Sequence, residues 1–254
     1  MLIDAHVHIF PSVDGYGPKG HTHGAGYGRI DAGDGIAQDV LPAINENTSH
    51  TLQMLLHEMR QAQVDKAVLI LCPCYGDWSE YVLQACRDYP EQFTASAFFD
   101  PWSPAARQYY AEKLEGSLWK NIKIEFSEAG GLYGVYPGVQ LDAPELRWLW
   151  EAMEAGGKTV SFDLGRPGDG SYQTDQIASI AKRHPGLKIV LCHMGQPSRA
   201  AERNPELWSA WLEQIRLGTL PNVWFDLSAL PYHVQKEEAV SYTHLRAHET
   251  SAHL

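Results

Sequence analysis

Two histidines near the start of the chain have the spacing of a pair of metal ligands. His6 and His8 are separated by one residue, and on a β-strand residues i and i+2 point to the same face, about 6.5–7 Å apart. Val7 and Ile9 favour a strand, and Pro11 ends it just after the histidines. Imidazole nitrogens are common ligands of Zn²⁺, so the pair predicts two metal ligands at the carboxyl end of the strand.

The alternative for these two histidines is a purely structural role. Half-buried imidazoles often donate to backbone carbonyls without binding anything else. An apolar strand that is covered on both faces, however, gains nothing from two neighbouring imidazoles without partners. This argument favours metal ligation.

Further polar side chains stand at the ends of later apolar segments. They are Glu125, Asp163, His193, Asp226 and Ser228. If the segments are parallel strands, their carboxyl ends meet at one edge, where α/β barrels carry their chemistry. Carboxylates and imidazoles act there as general acids and bases. The structural alternatives are that Glu125 and Asp163 are buried salt-bridge partners and that His193 is a hydrogen-bonded core residue.

The segments that carry these side chains alternate with helical patterns. Strands are predicted within residues 1–10 and at 66–71, 93–99, 121–126, 158–164, 187–192 and 222–227. Helices are predicted at residues 48–63, 78–89, 104–115, 144–155, 174–183 and 205–217. Such alternation favours a parallel sheet, and seven strands in 254 residues favour an α/β fold of the TIM-like (β/α)8 barrel type.

The eighth strand of a closed barrel has no counterpart in the sequence pattern after Ser228. Residues 241–254 hold three histidines, but the second histidine of an H-E-x-x-H metal motif would come one residue too late. This segment resembles translated adapter or vector sequence. We therefore expect a barrel domain at residues 1–240, truncated after strand seven, and a non-native tail at residues 241–254.

A glycine-rich segment at residues 11–47 follows the first predicted strand. It contains a G-x-G-x-x-G sequence, but Pro18 and the later glycines exclude the helix that would hold a pyrophosphate. We expect an irregular loop that covers the site. His21 and His23 lie in this loop; we expect solvated side chains, with metal ligation or substrate contact as the alternative.

Composition and charge narrow the classes of partner. The chain has 31 acidic and 20 basic residues and a formal charge of -11, which disfavours nucleic acid and anionic membranes and favours a small-molecule substrate. No secretory leader and no apolar run long enough for a membrane span are evident, so we expect a cytoplasmic location. The four cysteines are interpreted as reduced packing residues. The oligomeric state is left open.

Two short motifs and their order carry a family resemblance. The Asp-Ala-His-Val-His sequence that ends at His8 and the Leu-Cys-His-Met-Gly sequence around His193 resemble the amidohydrolase superfamily. The chain is most similar to its amidohydrolase-related branch, which includes aminocarboxymuconate-semialdehyde decarboxylase and pyrone-dicarboxylate lactonase. The likeness runs from Leu2 to about Ser228.

The resemblance implies roles for individual residues. It makes His6 and His8 metal ligands and places His193 beside the metal, acting on the substrate or its water. Asp163 stands where the decarboxylases have a further ligand histidine. This departure leaves two alternatives: a divalent ion, Zn²⁺ or else Mn²⁺, with changed ligands, or a lactonase-like site without metal. Asp163 and Glu125 join His193 as candidate catalytic residues.

Two other features of the superfamily match this sequence less well. Lys123 lies near the lysine that some members carboxylate to bridge two metals, but Glu125 is closer to the strand end on the same face, which disfavours a two-metal site. The strand-eight aspartate of the superfamily has no candidate.

These residues together predict a metal-dependent hydrolase that attacks a small carboxylated or cyclic substrate through a metal-activated water, or a non-oxidative decarboxylase with the same site. One alternative is a metal-independent lactonase of the same fold. The alternative from another class is an inactive, truncated barrel that only binds metal or ligand.

The predicted truncation has a consequence that can be measured. Seven strands without an eighth leave two sheet edges unpaired, and unpaired edges promote association. We expect the 254-residue chain to self-associate or to be poorly soluble, as measured by light scattering during size-exclusion chromatography. A monodisperse monomer with a cooperative melting transition would contradict this expectation.

Overall fold

The computed structural model describes residues 1–43 and 45–230. The strands of this part are β1 (Ile3–Val7), β2 (Asp14–Gly17), β3 (Gly20–Gly24), β4 (Arg29–Asp31), β5 (Ala37–Asp39), β6 (Lys66–Ile70), β7 (Phe93–Phe98), β8 (Trp119–Glu125), β9 (Thr159–Asp163), β10 (Lys188–Leu191) and β11 (Val223–Phe225). The α-helices are α1 (Leu52–Ala62), α2 (Ser79–Asp88), α3 (Ala106–Tyr109), α4 (Leu132–Val135), α5 (Arg147–Ala155), α6 (Thr174–Arg183), α7 (Arg199–Arg203) and α8 (Pro205–Arg216). The predicted domain end at residue 240 and the predicted tail at 241–254 lie outside the described residues.

Seven strands form one parallel sheet in chain order, β1-β6-β7-β8-β9-β10-β11. Helices on the crossovers cover it, as βαβ connections require. The described residues thus form seven strands of a TIM-like (β/α)8 barrel, which confirms the predicted fold. The register pairs Glu125 with Asp163, which puts two candidate catalytic carboxylates side by side at the carboxyl edge.

The core lies between the sheet and its helices. Leu69, Ile122 and Val160 of the strands are fully buried, and they read as continuous apolar runs because both faces of a parallel sheet are covered. Helix α5 contributes Leu149 and Trp150, which are at most 1% exposed. This packed layer holds the strand ends in a fixed relation to one another.

Most predicted elements agree with the observed ones within a few residues, but the helix predicted at 104–115 is observed as α3 followed by a π-helical segment, Tyr110–Leu114. Helix α6 has the predicted bounds, and the other long helices begin or end up to four residues from expectation. Helix α1 begins at Leu52 instead of residue 48, with Thr51 as its N-cap, whose side chain accepts from the Met54 amide. Thr48 has a positive φ of 47°, and its buried hydroxyl donates to Arg29 O.

The expectation of an irregular loop at residues 11–47 was wrong. Strands β2 to β5 form a four-stranded antiparallel sheet, called the small sheet below. Its strands have only three to five residues and many glycines, so no alternation of apolar and polar residues marks them. Gly28 shows why glycine is needed: its φ is 79°, and a Cβ would lie 2.1 Å from Leu41 O. The G-x-G-x-x-G sequence forms the β2–β3 hairpin, and no helix follows it.

The small sheet is attached to the barrel by the turn that follows β6. The Asp14 amide donates to Tyr75 O at 3.1 Å, and the Tyr16 amide donates to Pro73 O at 2.9 Å. The Thr22 hydroxyl donates to Cys74 O at 2.5 Å. Because these acceptors are backbone carbonyls at a strand end, the small sheet sits over the carboxyl side of the barrel.

No helix within the described ranges has both the length and the apolar character needed to cross a bilayer.

The buried strand centre gives a stability prediction. Leu69→Ala should lower the free energy of unfolding by about 2–5 kcal/mol, because it leaves a cavity under fully buried neighbours. The control is Leu118→Ala at a 48% exposed position, which should change it by about 0.5 kcal/mol or less. Urea unfolding followed by circular dichroism measures both variants, and equal losses would contradict the described core.

Candidate active site at the carboxyl ends of the parallel strands

A buried histidine–aspartate pair joins the two ends of the parallel sheet. His6 Nδ1 of β1 lies 3.0 Å from Asp226 Oδ2, which follows β11, and both side chains are 3% exposed. Burial and the charge of Lys123 lower the pKa of His6 to about 4, so its imidazole is neutral at neutral pH. Burial favours the neutral form of Asp226, but the interactions with His6, Ser228 and His193 together outweigh burial and lower the pKa of that carboxyl. The pair thus offers a neutral nitrogen and an ionised oxygen.

His193 is held in a left-handed turn after β10. Its φ is 57° and that of Met194 is 51°, values that non-glycine residues seldom adopt. Three donors hold the turn in this conformation: the His193 amide bonds Asp226 Oδ1 at 2.8 Å, Trp211 Nε1 bonds Met194 O at 2.9 Å, and the Tyr172 hydroxyl bonds Gly195 O at 2.9 Å. The turn directs the imidazole of His193 toward the ends of β1 and β9.

Asp163 and His193 form an ion pair at the centre of the site. His193 Nε2 lies 3.1 Å from Asp163 Oδ2, and its Nδ1 lies 2.8 Å from Ser228 Oγ. Burial favours the neutral form of both groups, but the hydrogen bond and charge of Asp163 raise the pKa of His193. The same bond, together with the charge of Lys123, lowers the pKa of Asp163. The pair therefore favours the protonated form of His193 beside the Asp163 carboxylate.

A second charged pair lies beside it on β8. Lys123 Nζ is 3.1 Å from Glu125 Oε2 and 3.5 Å from His6 Nε2, and its side chain is 3% exposed. Burial lowers the pKa of Lys123, but Glu125 and other nearby groups that carry negative charge when ionised raise it more, so the amine keeps its charge. Burial and the neighbouring Asp163 raise the pKa of Glu125, although Lys123 opposes this. Glu125 is therefore the carboxyl of the site that most readily takes up a proton.

His8 lies on the same side of β1 but makes different contacts. Its Nδ1 is 2.7 Å from Ile70 O, and its ring centre is 5.0 Å from that of His6 and 5.1 Å from that of Tyr75. Burial lowers its pKa well below the usual range. The predicted role of His8 as a metal ligand stays a prediction.

Among the described residues, the group whose donor atoms converge consists of His6, His193 and Asp226, with all ligand atoms within 4.8 Å of one another. Two imidazoles and one carboxylate are a donor set that suits Zn²⁺ and related divalent ions. The residues therefore fit a metal, with the condition that His193 gives up its proton and that Lys123 tolerates a second cation near His6.

The two loop histidines do not join this group. His21 Nε2 bonds Asp14 Oδ1 at 2.7 Å, and His23 Nε2 lies 3.9 Å from Asp31 Oδ2 on the small sheet. Both imidazoles are about half exposed, which confirms the expectation of solvated side chains.

Several contributors to the site were not singled out from the sequence. Asp226 was noted only as a polar strand end, and Gln196, which donates to Asp163 Oδ1, was not considered. Tyr172 and Trp211, which hold the left-handed turn, belong to segments distant in sequence. Only the Asp-Leu-Ser pattern after the last strand offered a usable signal.

The ion pair gives a pH prediction for chelator-treated protein. Asp163 has a lowered pKa in the folded state, so its stabilisation is present above its unfolded pKa of about 4 and is lost as the pH falls below it. His193 has a raised folded pKa, so its stabilisation is present below its unfolded pKa of about 6.5 and is lost as the pH rises through the folded value. Asp163→Asn should cost roughly 1–3 kcal/mol between these limits and less outside them.

Thermal unfolding across pH measures this difference. Asp39→Asn, at an exposed position of the small sheet, is the control and should show no such window. A loss for Asp163→Asn that is constant from acid to alkaline pH would contradict the ion pair.

Comparisons with known proteins agree with this architecture. The sequence profile of the amidohydrolase family matches residues 3–250. No curated protein matches the chain. Among solved structures, a probable 2-pyrone-4,6-dicarboxylic acid hydrolase from Acinetobacter baumannii with bound citric acid is similar at 14% identity, covering 94% of this chain and 74% of its own, with a TM-score of 0.61.

Two further solved structures share the fold. An amidohydrolase from Burkholderia multivorans with bound zinc is 18% identical, over 92% of this chain and 72% of its own, with a TM-score of 0.60. A 2,6-dihydroxybenzoate decarboxylase in complex with 2,6-dihydroxybenzoate is 13% identical, over 77% of this chain and 82% of its own, with a TM-score of 0.51. Because the profile spans nearly the whole chain and the predicted family resemblance is confirmed by it, the chain belongs to the amidohydrolase family.

Proposed function

We propose that this barrel is a metal-dependent hydrolase of small carboxylated cyclic esters. The observation that carries the proposal is the convergence of His6, His193 and Asp226, which bring two imidazole nitrogens and a carboxylate within 4.8 Å at the carboxyl ends of the strands. A divalent ion there, Zn²⁺ by the chemistry of the donors, would supply Lewis acidity toward a carbonyl group and toward water.

The charges around this group support a substrate that carries a carboxylate. The ammonium group of Lys123 is almost completely buried and lies 3.1 Å from Glu125 Oε2. A buried ammonium attracts an anionic substrate and stabilises negative charge that develops during the reaction. A cyclic ester with a carboxylate meets both requirements.

Proton transfer in this proposal involves Glu125 and Asp163. His193 gives up its extra proton when it serves as a ligand, and Asp163, whose Oδ2 lies 3.1 Å from His193 Nε2, would keep the imidazole oriented. Glu125 is then the group that can hold a proton, because burial and the neighbouring Asp163 raise its pKa. Glu125 would donate this proton to the alkoxide that leaves when the ester bond breaks.

A metal-independent hydrolase of the same site is the second candidate. The observation in its favour is the distance of 3.5 Å between Lys123 Nζ and His6 Nε2, since a cation already occupies the neighbourhood of one ligand nitrogen. In that case Lys123 and protonated His193 would polarise the carbonyl group together. Decarboxylation of an aromatic acid would use the same groups, with a proton delivered to carbon.

Metal content and turnover distinguish these candidates. Elemental mass spectrometry of the purified protein should find one Zn²⁺ per chain. His6→Ala and Asp226→Asn should each weaken Zn²⁺ binding by at least about 10–100-fold. His57→Ala, an exposed histidine of α1, is the matched control and should bind as the native chain does. Retention of native affinity in both site variants would overturn the metal site.

Activity is then tested with carboxylated lactones and hydroxybenzoates, before and after chelation. Lactone hydrolysis that is lost on chelation and restored by Zn²⁺ supports the proposal. Lactone hydrolysis that survives chelation selects the metal-independent candidate, and carbon dioxide release from hydroxybenzoates selects decarboxylation. Metal binding without any turnover favours a barrel that only binds ligand.

A further inference from the structure

Two of the four cysteines lie at the mouth of the barrel and have no part in the proposed reaction. Cys72 and Cys74 flank Pro73 just after β6, and both are half-buried. Cys86 and Cys192, in contrast, are 8% and 3% exposed and fit the predicted role of packing residues. All four are free thiols.

The turn after β6 brings the first two thiols together. The Tyr75 amide donates to Cys72 O at 3.0 Å, which closes a four-residue turn and shortens the distance between its first and third residues. The sulfurs of Cys72 and Cys74 are 2.9 Å apart. Since a disulfide bond is about 2.05 Å long, the two sulfurs need only a small further movement to bond.

The two thiols also differ in acidity. The hydrogen bond from Cys74 lowers the pKa of Cys72, burial opposes this, and the charge of Lys123 adds to the lowering. The same hydrogen bond and burial raise the pKa of Cys74. A thiol of lowered pKa next to a second thiol is the arrangement in which one sulfur attacks an oxidant and the other resolves the product.

We propose that Cys72 and Cys74 are a redox modification site that a hydroperoxide converts into an intramolecular disulfide. The Cys72 thiolate attacks the terminal peroxide oxygen, the O–O bond breaks, and the alkoxide leaves as an alcohol after taking a proton. Cys72 is then a sulfenic acid. The Cys74 thiol attacks its sulfur, the S–S bond forms, and the S–O bond breaks with release of water. Two thiols and one hydroperoxide thus give one disulfide, one alcohol and one water.

The location of the pair gives the modification a structural effect. Carbonyls of Pro73, Cys74 and Tyr75 accept the three hydrogen bonds that attach the small sheet. A disulfide ring that spans a single intervening residue is strained and changes this turn, and strained disulfides are readily reduced. Oxidation therefore loosens the attachment of the small sheet reversibly.

Intact mass spectrometry and peptide mapping of the full chain test the modification. After treatment with hydrogen peroxide we expect loss of two hydrogen atoms in mass, a Cys72–Cys74 linkage in the map, and full recovery with dithiothreitol. Cys72→Ser and Cys74→Ser should each abolish the loss, whereas Cys86→Ser and Cys192→Ser should retain it. Absence of the linkage, or a loss of two hydrogen atoms that persists in Cys74→Ser, would overturn the proposal.

Two additional measurements keep the test informative if a variant folds poorly. Dimedone should label the Cys74→Ser protein at Cys72 in the presence of peroxide, because the sulfenic acid then lacks its resolving thiol; absence of label would contradict the first step. Hydrogen exchange of residues 13–24 should become faster in the oxidised native chain. Unchanged exchange in fully oxidised protein would exclude the effect on the small sheet.

Discussion

The hydrogen bond between His6 and Asp226 is the contact on which the site depends. These residues are 220 positions apart, and their 3.0 Å bond requires the seven-stranded sheet to curl until its first and last strands face each other. Asp226 also accepts from the His193 amide and from Ser228, so one carboxylate connects the ends of β1, β10 and β11. The contacts of His6 with His193 and Lys123 follow from this closure.

The closure also explains how so many ionisable groups can be buried together. His6 stays neutral beside the ionised Asp226, and two further pairs join groups of opposite charge, Asp163 with His193 and Glu125 with Lys123. Isolated burial of any one of them would cost several kcal/mol or shift its pKa until it became neutral. The site is stable because each ionised group has a partner within about 3 Å, and the gain or loss of one proton changes this balance.

Sequence reasoning succeeded where a local pattern has a direct physical cause. Continuous apolar runs identified β6 and β10, because both faces of these strands are buried. The 3.6-residue period identified α6, because one face of this helix is buried. The pattern failed for the small sheet, whose three- to five-residue strands are held by turns and by backbone bonds to Pro73 and Tyr75. Local sequence carries no record of such distant acceptors.

The site was predicted in part for the same reason. His6, Glu125, Asp163 and His193 were located because strand ends can be counted, and the structure brings them together. The left-handed turn at His193 depends on Trp211 and Tyr172, and the meeting of Asp226 with His6 depends on the curl of the whole sheet. Neither could be derived without tertiary contacts.

The attachment of the small sheet has a consequence for how this protein can diverge. Its hydrogen bonds to the barrel are made mainly by backbone groups of β2. Gly15 cannot take a larger side chain, because a Cβ there would lie 2.1 Å from Pro73 O. Exposed side chains such as Tyr16 and Tyr27 take no part in the attachment. Mutations on this surface can therefore accumulate without disturbing the barrel, so the exposed side chains of the small sheet can change in evolution or by engineering at low cost to folding.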